Sequence, residues 1–401
     1  MEIKKQRYIL AEKEDDFPPF PFNFPQVHIQ KINLDEMKNP EEFFKSLFKP
    51  DFDVNGFQDM DNNEEIPKTE NEPLPKIKDV ENEVLKNIVG QDMQIREILT
   101  EIYKSIIYEN LKSNILIIGK SGTGKTETVT QIAKRLNIPY AIEDATKYTK
   151  EGYVGFDVSE MISNLLESAD NNLERAEKGL LIIDEIDKKA SLKADDPSGK
   201  EVLQSLLKII EGTKVKVRVG QFLSAREVDF DTRNVTVVLM GAFEGIEEIR
   251  EKRLNVKKMG FQAGTASRKS IPKKERLINK QDLKNYGFPN EFVGRIDNIV
   301  EMNELKKGAL AKILKNSELS IFRRYEAALL KEGIKLSYSL NIFSKIAEES
   351  LLLDTGAREL SNTVNYVFSK IMYDVMANPG AYTKCRITAR TVDDNTKYKL
   401  S

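Results

Sequence analysis

Histidine and cysteine are nearly absent from this 401-residue chain, which has one of each, His28 and Cys385. A single cysteine excludes an internal disulfide, a C-x-x-C redox pair and a cysteine-built zinc module. A single histidine, set in an irregular N-terminal stretch, excludes histidine-based triads, H-E-x-x-H zinc sites and multi-histidine metal clusters. Also missing is any run of roughly 18 apolar residues, the length that a membrane helix needs. The opening MEIKKQRYILAEKEDD reaches acids before an apolar core forms, so no secretory signal is expected. Neither sign of charge dominates, with 62 Lys and Arg against 64 Asp and Glu for a net −2. Nucleic acid or an anionic membrane would therefore need a local basic patch. What remains is a reduced, soluble, cytoplasmic protein, 40% hydrophobic and 31% charged, long enough for two or three domains.

Residues 1–78 differ from the rest. The run Phe17-Pro-Pro-Phe-Pro-Phe-Asn-Phe-Pro25 cannot be helical, because each proline removes a donor and pushes its predecessor out of the α region. Asp51 to Pro75 is rich in Asp, Asn, Glu and Pro and reads as a solvated linker, with room for one short helix at Asp35–Phe48. The segment is expected to be a partly disordered tail, or a docking segment that seats its phenylalanines on a partner or on the protein's own body.

From Asp79 the pattern becomes regular. Val80, Val84, Leu85 and Ile88 form a helical stripe, and a second periodic helix runs to about Leu111. Continuous apolar runs follow at 114–118, 180–183 and 235–239, of the sort buried on both faces of a parallel sheet. Strands alternating with helices predict a three-layer α/β domain over 79–302. From Glu304 to about Met376 the periodicity is helical only, and Cys385 to Leu400 alternates like one strand, so 303–401 is expected to be a small helical domain.

Gly119-Lys120-Ser121-Gly122-Thr123-Gly124-Lys125-Thr126 fits G-x-x-x-x-G-K-[ST], directly after the first apolar run and before a helix. Glycines let backbone N–H groups turn toward a triphosphate at a helix N-terminus, where the macrodipole adds a favourable field. In this motif Lys125 contacts the β- and γ-phosphates and Thr126 ligates Mg²⁺. The run Leu180–Ile183 ends in Asp184-Glu185, two acids at the sheet edge where open α/β sheets bind ligands. Asp184 suits the Mg²⁺ shell, and Glu185 is positioned to polarise the attacking water. ATP hydrolysis with Mg²⁺ is the reading.

A longer series of segments resembles the ClpX family of AAA+ protein unfoldases. It comprises Ile88-Val89-Gly90-Gln91, the phosphate loop, Asp144-Ala-Thr146, Glu151-Gly152-Tyr153-Val154-Gly155, Ile183 to Lys188 and Leu206 to Gly212. It continues through Gly241-Ala242-Phe243, Pro289 to Arg295 and Thr355-Gly356-Ala357-Arg358, so that it covers about 80–390 in unbroken order. The related HslU unfoldases share some of these segments but carry a large inserted domain for which no counterpart is found here. The resemblance implies a P-loop AAA+ domain followed by a small helical domain, assembled as a homo-hexamer. It makes Arg295 an arginine finger acting from the neighbouring subunit, Arg358 a second sensor arginine, and Val89 an adenine-side contact. Tyr153 and Val154 become a pore loop that grips unfolded or tagged protein substrates, an aromatic and an aliphatic side chain holding any sequence by buried area. Lys258-Met259-Gly260-Phe261 resembles the loop by which the family docks on the ClpP-type peptidase ring, and it is expected to be exposed and flexible.

The chain also departs from the family. A four-cysteine zinc module is not expected with one cysteine, and the basic R-K-H loop has no match between Gly212 and Val228, where Lys214 to Val219 reads as a hairpin strand. Leu192 to Ser198 lacks the usual Arg of the second pore loop, and the first sensor position near Met240 lacks a polar residue. Two other functions stay open: a remodelling ATPase without a peptidase, and a nucleic-acid motor using the basic stretch from Arg250 to Lys280.

Overall fold

Alternate residues of a buried parallel strand must each meet a hydrophobic layer, and this requirement organises the N-terminal two-thirds of the described chain. Two helices come first, α1 (Ile77–Asn87) and α2 (Asp92–Ile107), then β1 (Ile115–Ile118), α3 (Lys125–Arg135), β2 (Tyr140–Asp144), α4 (Val158–Ser168), α5 (Leu173–Ala176) and β3 (Leu180–Asp184). Next are α6 (Pro197–Glu211), β4 (Lys214–Val219), β5 (Arg226–Asp231), β6 (Thr236–Gly241), α7 (Ile246–Gly260), α8 (Lys280–Tyr286), α9 (Asn290–Gly294) and β7 (Asn298–Glu301). This computed structural model describes residues 74–108, 111–148, 158–190, 197–219, 226–260, 276–352 and 357–401, which fall within one compact unit, Glu72–Ser401.

The main sheet has five strands in the order β2-β3-β6-β1-β7, every pairing parallel. Leu116, Ile118, Leu181 and Ile183 enter one core with α4 and α6, while Ile115, Ile117, Leu180 and Ile182 enter another with α1, α2 and α3. Burial on both faces explains why these strands read as unbroken apolar runs, and each such side chain contributes about 1.5–3 kcal/mol. Helices on both faces give the three-layer α/β P-loop architecture expected from the sequence. The hairpin expected at Lys214 is also present: β4 pairs antiparallel with β5, Val215 opposite Phe230.

The C-terminal region is mainly helical, with α10 (Lys307–Asn316), α11 (Ile321–Lys331), β8 (Lys335–Tyr338), α12 (Ile342–Leu351), α13 (Ala357–Ala377), β9 (Lys384–Ile387), α14 (Ala389–Asp393) and β10 (Lys399–Leu400). Its hydrophobic cluster draws only on residues from Leu305 to Leu400. The expectation of helix alone up to Met376 fails at β8, which pairs parallel with β9, Leu336 beside Cys385. Four residues with little burial leave no alternation to read. The single strand expected at Cys385–Leu400 is instead strand, helical turn and strand, because Thr388 caps α14 in a reciprocal box with Thr391. Cys385 is fully buried, and that burial pushes its thiol up to about 11, leaving a core residue with little thiolate character.

The helix before α9, at whose end Arg295 lies, is held by one buried acid. Asp282 accepts from the Asn279 backbone in the cap of α8 and takes Arg253 Nε at 2.8 Å and Nη2 at 2.9 Å, with side-chain exposures of 0% and 10%. Asp282→Ala removes both the cap and the buried carboxylate that Arg253 bonds twice, so stability should fall by about 3–5 kcal/mol. A lowered urea midpoint with unchanged slope is the expected result.

Candidate nucleotide site

The phosphate loop runs from the end of β1 into α3. Gly124 is the N-cap of α3 at φ +90, and Gly122 lies at φ +75; side chains at both would be strained. Lys125 opens the helix and is nearly buried, its Nζ donating to Gly119 O at 2.6 Å and Lys120 O at 3.1 Å. Burial pulls its pKa below the usual lysine value, and the charges of Asp184 and Asp187 oppose that shift. Thr126 Oγ1 donates to Asp184 Oδ2 at 3.1 Å, so two hard oxygen ligands of the expected type stand together. Among the described residues, no group of three His, Cys, Asp or Glu could hold a metal by itself. That donor set fits Mg²⁺, which takes few protein ligands and completes its octahedron with phosphate oxygens and water.

Glu185 follows Asp184 at φ +56, a left-handed conformation costing roughly 1–2 kcal/mol for a non-glycine residue. The turn lifts Glu185 off the strand axis into the open, while its N–H donates to Asp184 Oδ1 at 2.8 Å. Strain of this kind collects where function over-determines the backbone. One step on, Asp187 is only 1% exposed; its Oδ2 accepts from the Phe243 N–H at 3.2 Å, and its Oδ1 has no hydrogen-bond partner among the described residues. A Cβ at Gly241 would lie 2.5 Å from that Oδ1, so only glycine lets the end of β6 approach this carboxylate. Phe243, also left-handed at φ +53, stacks on Phe288 at 5.7 Å and tilts against Tyr286 at 5.2 Å.

A cleft of about 490 Å³ collects Ser121, Lys125, Asp184, Glu185, Glu244 and Arg358. Arg358 arrives from α13, whose first residue, Ala357, donates its N–H to Gly122 O at 3.2 Å. Val89 lines a separate hollow of about 650 Å³ with Ile88, Gly90, Ala309 and Lys312. Met240 is buried in β6 and brings no polar group to the cleft. Arg295 stands outside the cleft of its own chain, 56% exposed and paired with Glu211 at 2.8 Å. Tyr153, Val154 and Phe261 lie outside the described residues, whereas Met259 and Gly260 end α7. The helix thus continues through two positions for which the sequence predicted loop.

Sequence reasoning assigned no role to Gln91, Asp187 or Glu211. Gln91 is fully buried; its Nε2 donates to Thr123 O at 3.1 Å and Asn303 O at 2.9 Å, and its Oε1 accepts from the Asn303 N–H at 2.9 Å. One amide thereby ties the phosphate loop to the connection between β7 and α10. Its signal was a polar residue between two apolar helical stripes, which alone cannot be told from a cap.

A family model described as an AAA domain (Cdc48 subfamily) matches residues 110–299. The chain is 33% identical over 354 residues to ClpX 3 of Methylococcus capsulatus, an ATP-dependent Clp protease ATP-binding subunit, covering 80% of this chain and 81% of that one. It is 33% identical over 333 residues to the ClpX of Porphyromonas gingivalis, covering 77% and 80% of the two chains. It is 34% identical over 325 residues to the ClpX of Bacteroides fragilis, covering 75% and 77%. The chain belongs to the ClpX family. It is a ClpX-like AAA ATPase, and such a chain binds nucleotide.

Gln91→Leu keeps the volume but leaves Thr123 O and the Asn303 amide without their buried partner. Such losses cost about 1–3 kcal/mol, so this ClpX-family chain should melt earlier and bind a fluorescent ATP analogue several-fold more weakly.

Proposed function

We propose that this ATPase is a ring-forming unfoldase that hydrolyses ATP to thread protein substrates through a central pore toward a separate ClpP-type peptidase. The observation that carries the reading is the separation of the site's parts. Phosphate loop, acids and Arg358 share one cleft, while Arg295 faces outward on the same chain, 56% exposed. A guanidinium that cannot serve its own cleft is available to the γ-phosphate held by a neighbour, where such a group contributes on the order of 10³ to 10⁵ in rate. A closed ring is the simplest assembly that gives every cleft such a neighbour, and a homo-hexamer is our assignment.

In this reading the N–H groups of Gly119 to Thr126 cradle the phosphates, Lys125 neutralises the β- and γ-oxygens, and Val89 lies on the adenine side. Thr126 and Asp184 hold Mg²⁺, which when bound neutralises charge developing on the phosphates. Glu185 orients and polarises the attacking water. We assign 79–302 to the ATPase domain and 303–401 to a helical domain that reports nucleotide state. Arg358 senses the γ-phosphate, and the contact of Ala357 with Gly122 carries the change across. Tyr153 and Val154 grip the substrate, and Met259 to Phe261 dock the peptidase in the cytoplasm. Among the described residues no helix is long and apolar enough to cross a membrane.

Lys125→Ala should weaken ATP binding on the order of 100-fold, because a charge-assisted contact is lost. Glu185→Gln should bind ATP normally yet hydrolyse it about 10²- to 10⁴-fold more slowly. Normal turnover by Glu185→Gln would disprove the catalytic assignment. The trapped variant, used as bait, should retain unfolded substrates together with a peptidase ring. Removing Met259–Phe261 should abolish degradation while ATP turnover persists; degradation that continues unchanged points to remodelling without this docking contact.

A further inference from the structure

Arg295 and Glu211 meet edge-on, and each is also held through its backbone. Arg295 Nε donates to Glu211 Oε1 at 2.9 Å, and Nη2 lies 2.8 Å from the same oxygen. The carboxylate therefore engages one edge of the planar fork, and Nη1 has no partner among the described residues. Both backbones are anchored. Asn114 Nδ2 donates to Arg295 O at 3.2 Å, and the Asn114 N–H donates to Asp297 Oδ2 at 2.7 Å. Glu211 is the last residue of α6, and Lys112 Nζ holds the carbonyl before it, Ile210 O, at 3.2 Å. Asn114 leads directly into β1, whose far end starts the phosphate loop. The pair thus joins two points fixed on the segment that leads into β1 rather than two loose side chains.

The position is a poor one for stabilising the fold. An acid at the C-terminus of a helix opposes the macrodipole, and an exposed pair adds little to stability. We infer that Glu211 is a positioning residue for Arg295: it holds the Nε edge so that the remaining guanidinium donors face outward, toward the γ-phosphate bound by the next subunit. The inference rests on the reading of Arg295 as a group acting between subunits. Hydrolysis in one cleft then depends on a carboxylate two contacts away, in a different chain.

The test uses full-length Glu211→Ala and Glu211→Gln with ATP and Mg²⁺. Glu211→Ala should lower kcat roughly 10- to 100-fold with KM for ATP within about twofold, the cost of a misplaced catalytic group. Glu211→Gln, whose carbonyl can still accept from Nε, should lose less, and neither variant should melt earlier. Mixing then separates this inference from the reading beneath it. Glu185→Gln subunits have inactive clefts but intact Arg295 and Glu211, so mixed with Glu211→Ala subunits they should raise turnover above that of either variant alone. Arg295→Ala mixed with Glu185→Gln is the control. Unchanged or faster kcat in Glu211→Ala overturns the inference, because the carboxylate is then idle or competes for the guanidinium. Restoration in the control mixture but not in the Glu211→Ala mixture also overturns it, since Glu211 then acts within its own chain. Failure of both mixtures overturns the reading that Arg295 acts between subunits, and the inference with it.

Discussion

Parallel pairing brings the ends of three strands to one edge of the sheet, and the chemistry of this chain depends on that alignment. Ile118 stands opposite Gly241, and Ile183 opposite Leu239, so β1, β3 and β6 finish almost level. Each strand then releases a different tool at the same place: the phosphate loop after Ile118, the acids at 184 and 185, and the Gly241–Phe243 turn. A slip of one residue in any pairing would swap that strand's side chains between the two cores and move its end by about 3.3 Å, so the packing of both cores also fixes the geometry of the site. Asp187 closes the arrangement by bonding the turn after β3 to the turn after β6.

The C-terminal helical region touches the rest at the end of α1, where the Glu318 N–H donates to Asn87 Oδ1 at 3.0 Å, and at this same edge. Ala357 meets Gly122, Arg358 enters the cleft, and Gln91 bonds both Thr123 and Asn303. None of these contacts is a broad hydrophobic seam. They are directional hydrogen bonds and a charge, which change strength steeply with a small rotation. A region held in this way can report what occupies the phosphate loop without its own core, built from Leu310, Phe368 and their neighbours, being rearranged.

How much of this could be read from residues alone follows from the range of the forces involved. The phosphate loop, Asp184 and Glu185 were legible because local sequence dictates them: glycines at left-handed positions, a lysine at a helix start, acids at a strand end. The three-layer sheet was legible because strands buried on both faces must be continuously apolar. β8 was not, since four half-exposed residues carry no period, and its partner β9 lies nearly 50 residues away along the chain. Gln91 and Asp187 were not legible as tethers either, because a polar residue announces its type but not the distant backbone it bonds. The helical continuation through Met259 and Gly260 was missed for a different reason: Gly260 and the basic stretch around it read as loop, yet the backbone stays helical to the end of α7.

Arg295 shows why the separation of parts matters. A guanidinium held in its own cleft would act whether or not a neighbour was in place, so its contribution to hydrolysis could not depend on assembly. Arg295 lies on the outer face, tied at its carbonyl to Asn114 and at its Nε edge to Glu211, and in the ring we propose it serves a γ-phosphate brought to it by another chain. On that proposal the catalytic contribution is conditional on subunit geometry. In such a ring any strain that shifts one chain against the next changes the distance between charges that interact strongly only at close range, and mechanical position would become a control on hydrolysis.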